Sequence, residues 1–415
     1  MSAEVNSQEK EIVVYIGTRR LVALEGIVGH GEPRVIRSVR QAKPDGFENG
    51  LVTNLEKAAA SIEKLLETLA ENSEDEISCS VVLGHSKIQS YTFSSSQYYQ
   101  GAARPVSSQE IRSVIAQTRS VATLPLTEII LQVVPESFVV DDMEDIRNPL
   151  GLEARRLGVN LKIYTMNFQD FKNLASAFET AEVRVKGFYP KALPLSEGVL
   201  TESEKTDGAV IVDIADEDAR LVLWKNGNML DSKNVPLGGK FMTEQIAQGW
   251  NIDGTDAEKV KEQYASLISH PDFGEELIPL IERQGKGHHP IRRQEFQEKF
   301  FAQSKGWMKN LLAEVDAFVE EGKLRFPHYV FTGGGTRPDG FLEFLQAQFS
   351  REARIGLVRR LDAPNELLVD LSMTAALGMF RWMGNYERDQ KRLTAPTGLL
   401  QKTMGSARDW FFAYF

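Results

Sequence analysis

Residues 208–239 read GAVIVDIADEDARLVLWKNGNMLDSKNVPLGG, and they decide the fold. The run places a strand, a turn, a second strand, another turn and a third strand in direct succession. Residues 209–214 and 219–225 are rich in Val, Ile and Leu, the composition of a sheet interior. Asn226-Gly227 is a residue pair that accepts the positive φ angles of a two-residue hairpin turn. Asp216, Glu217 and Asp218 fill the turn between the first two strands.

The same order of elements occurs once before. Residues 11–16, the turn Gly17-Thr18, residues 21–28, the turn 29–33 and residues 34–41 repeat it, and each copy is followed by a helical pattern. Repetition at long range predicts two lobes built alike. Two like lobes leave a cleft between them, where ligands usually bind.

Composition narrows the function. At 415 residues and 42% hydrophobic content the chain is long enough for two or more compact units. Lys+Arg 48 against Asp+Glu 58 gives a net charge of -10, which argues against nucleic acid as a partner. Cys79 is the only cysteine, so no intramolecular disulfide is expected and a reducing compartment suits the chain. The polar start MSAEVNSQEK lacks the pattern of a secretion signal, and no apolar run approaches the roughly 20 residues needed to span a bilayer.

Along the chain, residues 50–70 have the apolar spacing of a helix that covers a sheet. Residues 77–83 read as a strand, and residues 86–108 are polar, aromatic and Ser/Gln-rich without helical period. Residues 108–121 read as a helix, with Ser107 and Glu110 offering capping chemistry. Residues 128–134, 138–141 and 160–166 read as short strands, so residues 86–165 form a small inserted α+β unit. Helices are expected at 168–181, 241–249, 256–265, 292–321, 341–350 and 365–383, strands at 183–188 and 326–331, and a linker at 391–396.

Four stretches carry a family resemblance that covers essentially the whole chain. They are VVPESFVVDDMEDIRNPLGLEARRLGVNLKIYTM from Val133, KALPLSEGVLTESEKTDGAVIVDI from Lys191, VPLGGKFMTEQIAQGW from Val235 and VFTGGG from Val330. The chain resembles the bacterial cell-division FtsA family, within the actin and Hsp70 superfamily. The resemblance implies an α/β, actin-like two-lobed fold with duplicated RNase H-like cores, an inserted small α+β subdomain and a C-terminal amphipathic helix. The boundaries expected are 1–86 for the first-lobe core, completed by 166–198 and 372–390, with 87–165 for the insert, 199–371 for the second lobe and 391–415 for linker and tail helix.

ATP and magnesium are the ligands that the superfamily implies. In nucleotide-binding relatives two hairpin turns donate backbone N–H groups to the phosphates, and glycine lets the backbone approach. Both turns are altered here. The first reads Tyr15-Ile16-Gly17-Thr18, with a phenol where the family has a carboxylate. The second reads Asp213-Ile214-Ala215-Asp216-Glu217-Asp218 in place of a glycine-rich turn. Two unit charges about 4 Å apart cost roughly 4 kcal/mol at an effective dielectric near 20. A micromolar ligand has only about 8 kcal/mol of binding free energy. The expectation is therefore a protein that is not an enzyme, without ATP hydrolysis and without tight ATP binding. The candidate nucleotide residues that remain are Gly17, Thr18, Gly238, Gly239, Glu258, Lys261, Gly333, Gly334 and Gly335. Their glycines equally fit the ordinary strand-to-helix junctions of any α/β fold.

The tail, GLLQKTMGSARDWFFAYF, is amphipathic: Leu399, Leu400, Met404, Trp410, Phe411, Tyr414 and Phe415 fall within an arc of roughly 160° on a helix. Such a face suits a helix lying in the lipid interface, and docking on its own domain is the other reading. FtsA relatives end in a membrane-targeting helix, so the resemblance agrees with lipid. The basic cluster Arg283, Lys286, Arg292, Arg293 and Lys299 is either a solvated helix face or, by resemblance, the surface that takes the C-terminal peptide of the tubulin-like FtsZ. His288 and His289 read as a polar loop and not a metal site, since no spaced partner ligands follow. The resemblance implies a scaffold at the cytoplasmic face of the bacterial inner membrane, tethering FtsZ at the division site, self-associating into filaments and meeting later division proteins at the insert. Its rivals are an active ATPase of the superfamily and a pilus-assembly adaptor of the PilM kind.

Overall fold

The computed structural model describes residues 9–29, 31–69, 77–268, 276–280 and 290–394. Strands β1 (Glu9–Ile16), β2 (Arg20–Val28) and β3 (Arg34–Ala42) form an antiparallel meander. Helix α1 (Leu55–Glu67) begins where the Asn54 side chain accepts from the Lys57 amide, five residues later than the apolar spacing alone suggests. Strand β4 (Ser78–Leu83) then lies parallel to β1, with Tyr15 opposite Val82.

The chain leaves this sheet to build the insert. Its strands β5 (Gln89–Tyr98), β6 (Glu128–Val140), β7 (Met143–Ile146) and β8 (Arg156–Asn167) pair in the order β7-β6-β8-β5. Helix α2 (Ser108–Val121) packs on one face and carries the capping box between Ser107 and Glu110. Two expectations change here. The polar stretch after Ser86 contains the edge strand β5, and the two short strands around Pro135 are one strand whose pairing with β8 shifts register beside that proline. After helix α3 (Phe168–Thr180), strand β9 (Arg184–Pro190) rejoins the first sheet beside β4, giving β9-β4-β1-β2-β3.

Helices α4 (Ala192–Val199) and α5 (Glu202–Asp207) connect the lobes. Both lie in the stretch from Lys191 that carries part of the family resemblance. Strands β10 (Ala209–Ile214), β11 (Ala219–Lys225) and β12 (Asn228–Val235) then repeat the opening meander. Asn226 and Gly227 take φ of 53° and 77°, the geometry expected of that pair. After α6 (Lys240–Gly249), α7 (Gly254–Tyr264) and the long α8 (Arg293–Glu321), strand β13 (His328–Thr332) lies parallel to β10. Helix α9 (Phe341–Phe349) and strand β14 (Arg354–Ile355) complete the order β12-β11-β10-β13-β14, the topology of the first lobe repeated.

Every residue of β10 is buried because the strand is covered on both faces. Val210, Val212 and Ile214 pack with α6 and α8, whereas Ala209 and Ile211 join the core formed with α4 and the last helix. Short α10 (Asn365–Leu368) and a turn at Val369-Asp370 precede that helix, α11 (Thr374–Thr394). The single helix expected over 365–383 is thus divided, and the expected linker at 391 is helical to Thr394, since no proline intervenes before Pro396. Helices α4 and α11 cross at two glycines: a Cβ on Gly378 would lie 2.1 Å from the Pro194 carbonyl, and one on Gly198 would lie 3.1 Å from Gly378 Cα. This crossing joins the bases of the lobes.

Candidate functional site

The cleft between the lobes is lined by the turns after β1 and β10, the segment after β4 and the N-termini of α4 and α6. Parallel pairing sets them at one level: Tyr15 lies opposite Val82, and Asp213 opposite Thr332.

Tyr15 is buried and its ring covers the first turn. A Cβ on Gly17 would lie 2.9 Å from Tyr15 Cε1, and one on Gly84 would lie 2.6 Å from the Tyr15 hydroxyl. Lys191 comes from the end of β9 to the same place, its Nζ 5.9 Å from the centre of the Tyr15 ring. There it forms an ion pair with Asp213 Oδ2, the two side chains being only 7% and 1% exposed. Burial opposes a charge on Lys191, but Asp213 outweighs it and holds the ammonium above its usual range.

The three acids of the second turn do not project as free negative charge. Asp216 Oδ1 accepts from Arg19 Nη1 at 3.2 Å, and Glu217 Oε1 accepts from Lys240 Nζ at 2.6 Å. Asp218 is buried beside Arg220; burial raises its carboxyl, with Arg220 and Lys191 opposing. The electrostatic expectation is therefore corrected in its physical basis, because repulsion between phosphate and these acids is offset by the chain's own cations. What stands in a phosphate's way is occupancy and prior commitment of donors. The Gly239 amide donates to Ala215 O at 2.9 Å and the Lys240 amide to Asp216 O at 2.8 Å.

Gly238 is required by packing, since a Cβ there would lie 2.1 Å from Asp216 O. Gly333 has φ of 88° and faces Asp213 Oδ1, and Gly335 presses on Ile214. Gly334 is open. Thr18 lies half-buried in the first turn. Glu258 and Lys261 converge with Gly239. Lys261 Nζ is 2.8 Å from Glu258 Oε2, 2.7 Å from Thr243 Oγ1 and 3.2 Å from Gly239 O, and Glu258 also lies 3.7 Å from Arg19. Burial would raise the Glu258 carboxyl, but Lys261, Thr243 and Arg19 bring it below its usual value. These groups satisfy one another and do not form a cradle that fits a triphosphate.

Arg19, Lys191, Arg220 and Asp370 are site residues that sequence reasoning missed. Arg220 Nη2 donates across the cleft to His85 O at 3.0 Å, and Asn234 Nδ2 to Ser86 O at 2.8 Å. Asp370 accepts from Arg40 of the first lobe and Arg337 of the second, each at 2.5 Å. Among the described residues no group of three or more His, Cys, Asp or Glu is placed to hold a metal ion.

The basic cluster is only partly a free surface. Arg293 pairs with Glu276 and lies over the Tyr264 ring. Lys299 donates to Gly249 O at 3.1 Å and sits 4.5 Å from the centre of the Trp250 ring. Arg292, at the start of α8, is exposed. Arg283 lies outside the described residues, as do Leu399, Leu400, Met404, Trp410, Phe411, Tyr414 and Phe415 of the tail. No helix among the described residues is long and apolar enough to cross a membrane.

Two duplicated five-stranded sheets joined at a crossing of helices, with a cleft between them, define an actin-like protein. Solved structures agree on the fold: a PilM-PilN type IV pilus biogenesis complex matches with a TM-score of 0.63 at 15% identity, over 94% of this chain and 100% of that one. MreB 5 of Spiroplasma citri bound to AMPPNP matches with a TM-score of 0.54 at 12% identity, over 92% and 98%. Residues 86–165 match the family described as SHS2 domain inserted in FTSA, and residues 210–378 the family Cell division protein FtsA. The cell division protein FtsA of Buchnera aphidicola (subsp. Schizaphis graminum) is 23% identical over 98% of both chains. That of Escherichia coli K12 is 23% identical over 97% of this chain and 98% of its own. The chain belongs to the FtsA family of bacterial cell-division proteins.

Proposed function

We propose that this chain is a cell-division adaptor that holds the FtsZ ring at the cytoplasmic face of the membrane by binding alone, without ATP turnover. The observation that carries this reading is family membership over nearly the whole length, including the inserted subdomain at residues 86–165. Exposed Arg292, which precedes a helix whose Arg293 lies over the Tyr264 ring and whose Lys299 lies over the Trp250 ring, suits an acidic and hydrophobic peptide such as the FtsZ C-terminus. The amphipathic segment 398–415 supplies the lipid contact, and self-association into filaments multiplies it, since each further tail attaches intramolecularly. The insert is the surface offered to later division proteins.

The test is co-sedimentation of the full chain with anionic liposomes and FtsZ. FtsZ is expected to pellet only when this protein is present, and deletion of residues 398–415 abolishes pelleting. The Arg292→Glu exchange weakens FtsZ recruitment while leaving lipid binding intact. Recruitment that survives both changes would overturn the reading, and a steady ATPase rate would overturn its non-enzymatic part.

A further inference from the structure

In an actin-like fold the nucleotide is the body that both lobes grip, so closure of the cleft ordinarily depends on it. Here the same positions are bridged by side chains of the chain itself. Arg19, in the first-lobe turn, contacts Asp216 at 3.2 Å and Glu258 at 3.7 Å, both in the second lobe. Behind it, first-lobe Lys191 is paired with second-lobe Asp213 under the Tyr15 ring. Two further hydrogen bonds cross the cleft, from Arg220 to the His85 carbonyl and from Asn234 to the Ser86 carbonyl. The turn amides are committed as well, to Ala215 O and Asp216 O.

We infer that the two lobes are held closed by this internal charge network in place of a metal–nucleotide complex, with Arg19 acting as the cation that joins the two turns. The acidic turn is a good partner for a guanidinium delivered by the opposite lobe. Arg19 stands two residues after Gly17, and its side chain is 35% exposed while those of Asp216 and Glu258 are each 17% exposed. It therefore spans the mouth of the cleft and not its buried floor. Closure thus becomes a permanent property of the fold, and self-association no longer waits on nucleotide exchange.

The experiment measures the distance between spin labels on the two lobes of the full chain, at Lys57→Cys of α1 and Lys259→Cys of α7. Buried Cys79 stays unlabelled. The parent distance is expected to stay narrow and unchanged on addition of magnesium and ATP, with a melting temperature that moves by less than about 1 °C. Arg19→Met lengthens and broadens the distance, Asp216→Asn does so less because Glu258 remains, and the double variant opens no further than Arg19→Met alone. Arg19 and Asp216 lie in partly buried turns, and circular dichroism of each variant verifies that it is folded. Should a variant misfold, the nucleotide arm alone still decides. Compaction or a clear rise in melting temperature with magnesium and ATP overturns the inference, and so does an Arg19→Met distance identical to the parent. Neither result touches the co-sedimentation with FtsZ, so the two readings fail separately.

Discussion

Lys191 at the end of β9 and Asp213 near the end of β10 form an ion pair that joins the two lobes at the floor of the cleft, with almost no contact with water. Asp213 Oδ1 accepts no hydrogen bond among the described residues, so the carboxylate depends on Lys191. Removing one partner of such a pair strands the other charge in low dielectric, at a cost of about 3–5 kcal/mol. Lys191→Met and Asp213→Leu should each lose that much stability in urea denaturation. The double variant should cost less than either, because it strands nothing. Single variants within about 1 kcal/mol of the parent would show that the pair is hydrated.

Asp370, just before α11, is a further point at which both lobes meet. It receives Arg40 from β3 on one oxygen, and Arg337 and the Ser372 hydroxyl on the other. Burial acts to raise its carboxyl, but the Ser372 hydrogen bond and Arg337 outweigh burial and hold it at about 2. A carboxyl depressed in the folded state stabilises above its unfolded value and loses that contribution as pH falls through the folded one. Both arginine side chains are more than a third exposed, so Asp370→Asn should cost only about 1–3 kcal/mol at neutral pH. The difference from the parent should shrink between pH 4 and pH 2, in roughly that window. A difference that stays constant down to the acid end would rule out an ionised Asp370.

His85 gives a pH dependence of its own. The ring is 1% exposed, and its Nε2 has no partner among the described residues. Burial, then Arg220 and Lys87, bring its pKa down to about 4. The unfolded chain takes up the proton near pH 6.5, whereas the folded chain resists it until about 4. Stability is therefore complete above about pH 6.5 and declines as pH falls towards 4, by about 3 kcal/mol over the window. His85→Asn should flatten this slope in denaturation curves taken at intervals across the range. An unaltered slope would assign it to other groups.

The fold was legible where the chemistry is local. The apolar runs of β10 and β11, the Asn226-Gly227 turn and the Ser107–Glu110 cap each lie within a few residues, so local composition reveals them. The edge strand β5 escaped because none of its residues is fully buried, which leaves no apolar alternation to read. The division of the last helix at Asp370 escaped because side chains from both lobes impose it. The charge of the second turn was misread. Arg19 and Asp216 are 197 positions apart, and no spacing rule indicates that one neutralises the other. Three consecutive acids looked like an exposed field until the fold supplied Arg19, Lys240 and Arg220.

The cleft glycines offer a test that separates packing from ligand approach. If Gly238, Gly333, Gly334 and Gly335 were all kept to admit a ligand, alanine at any of them would leave the unliganded fold untroubled. The geometry divides them instead. A Cβ on Gly238 would stand 2.1 Å from Asp216 O and 2.5 Å from the Asp218 amide, both backbone atoms unable to swing aside. One on Gly335 would stand 2.2 Å from Ile214 Cγ2, and Gly333 adds a φ of 88° to a 2.4 Å approach to Ile214 O. Around Gly334 the nearest atom is Ser372 Cβ at 3.9 Å. Overpacking and left-handed strain each cost about 1–3 kcal/mol, so Ala at 238, 333 or 335 should lose at least about 2 kcal/mol in thermal or urea unfolding. Gly334→Ala should stay within about 0.5 kcal/mol of the parent, as for a substitution away from any packed feature. Since Gly238 braces the turn that carries Asp216, its alanine variant should also lengthen the interlobe distance, which Gly334→Ala leaves alone. Equal effects at all four positions would remove the distinction and return these glycines to a common role.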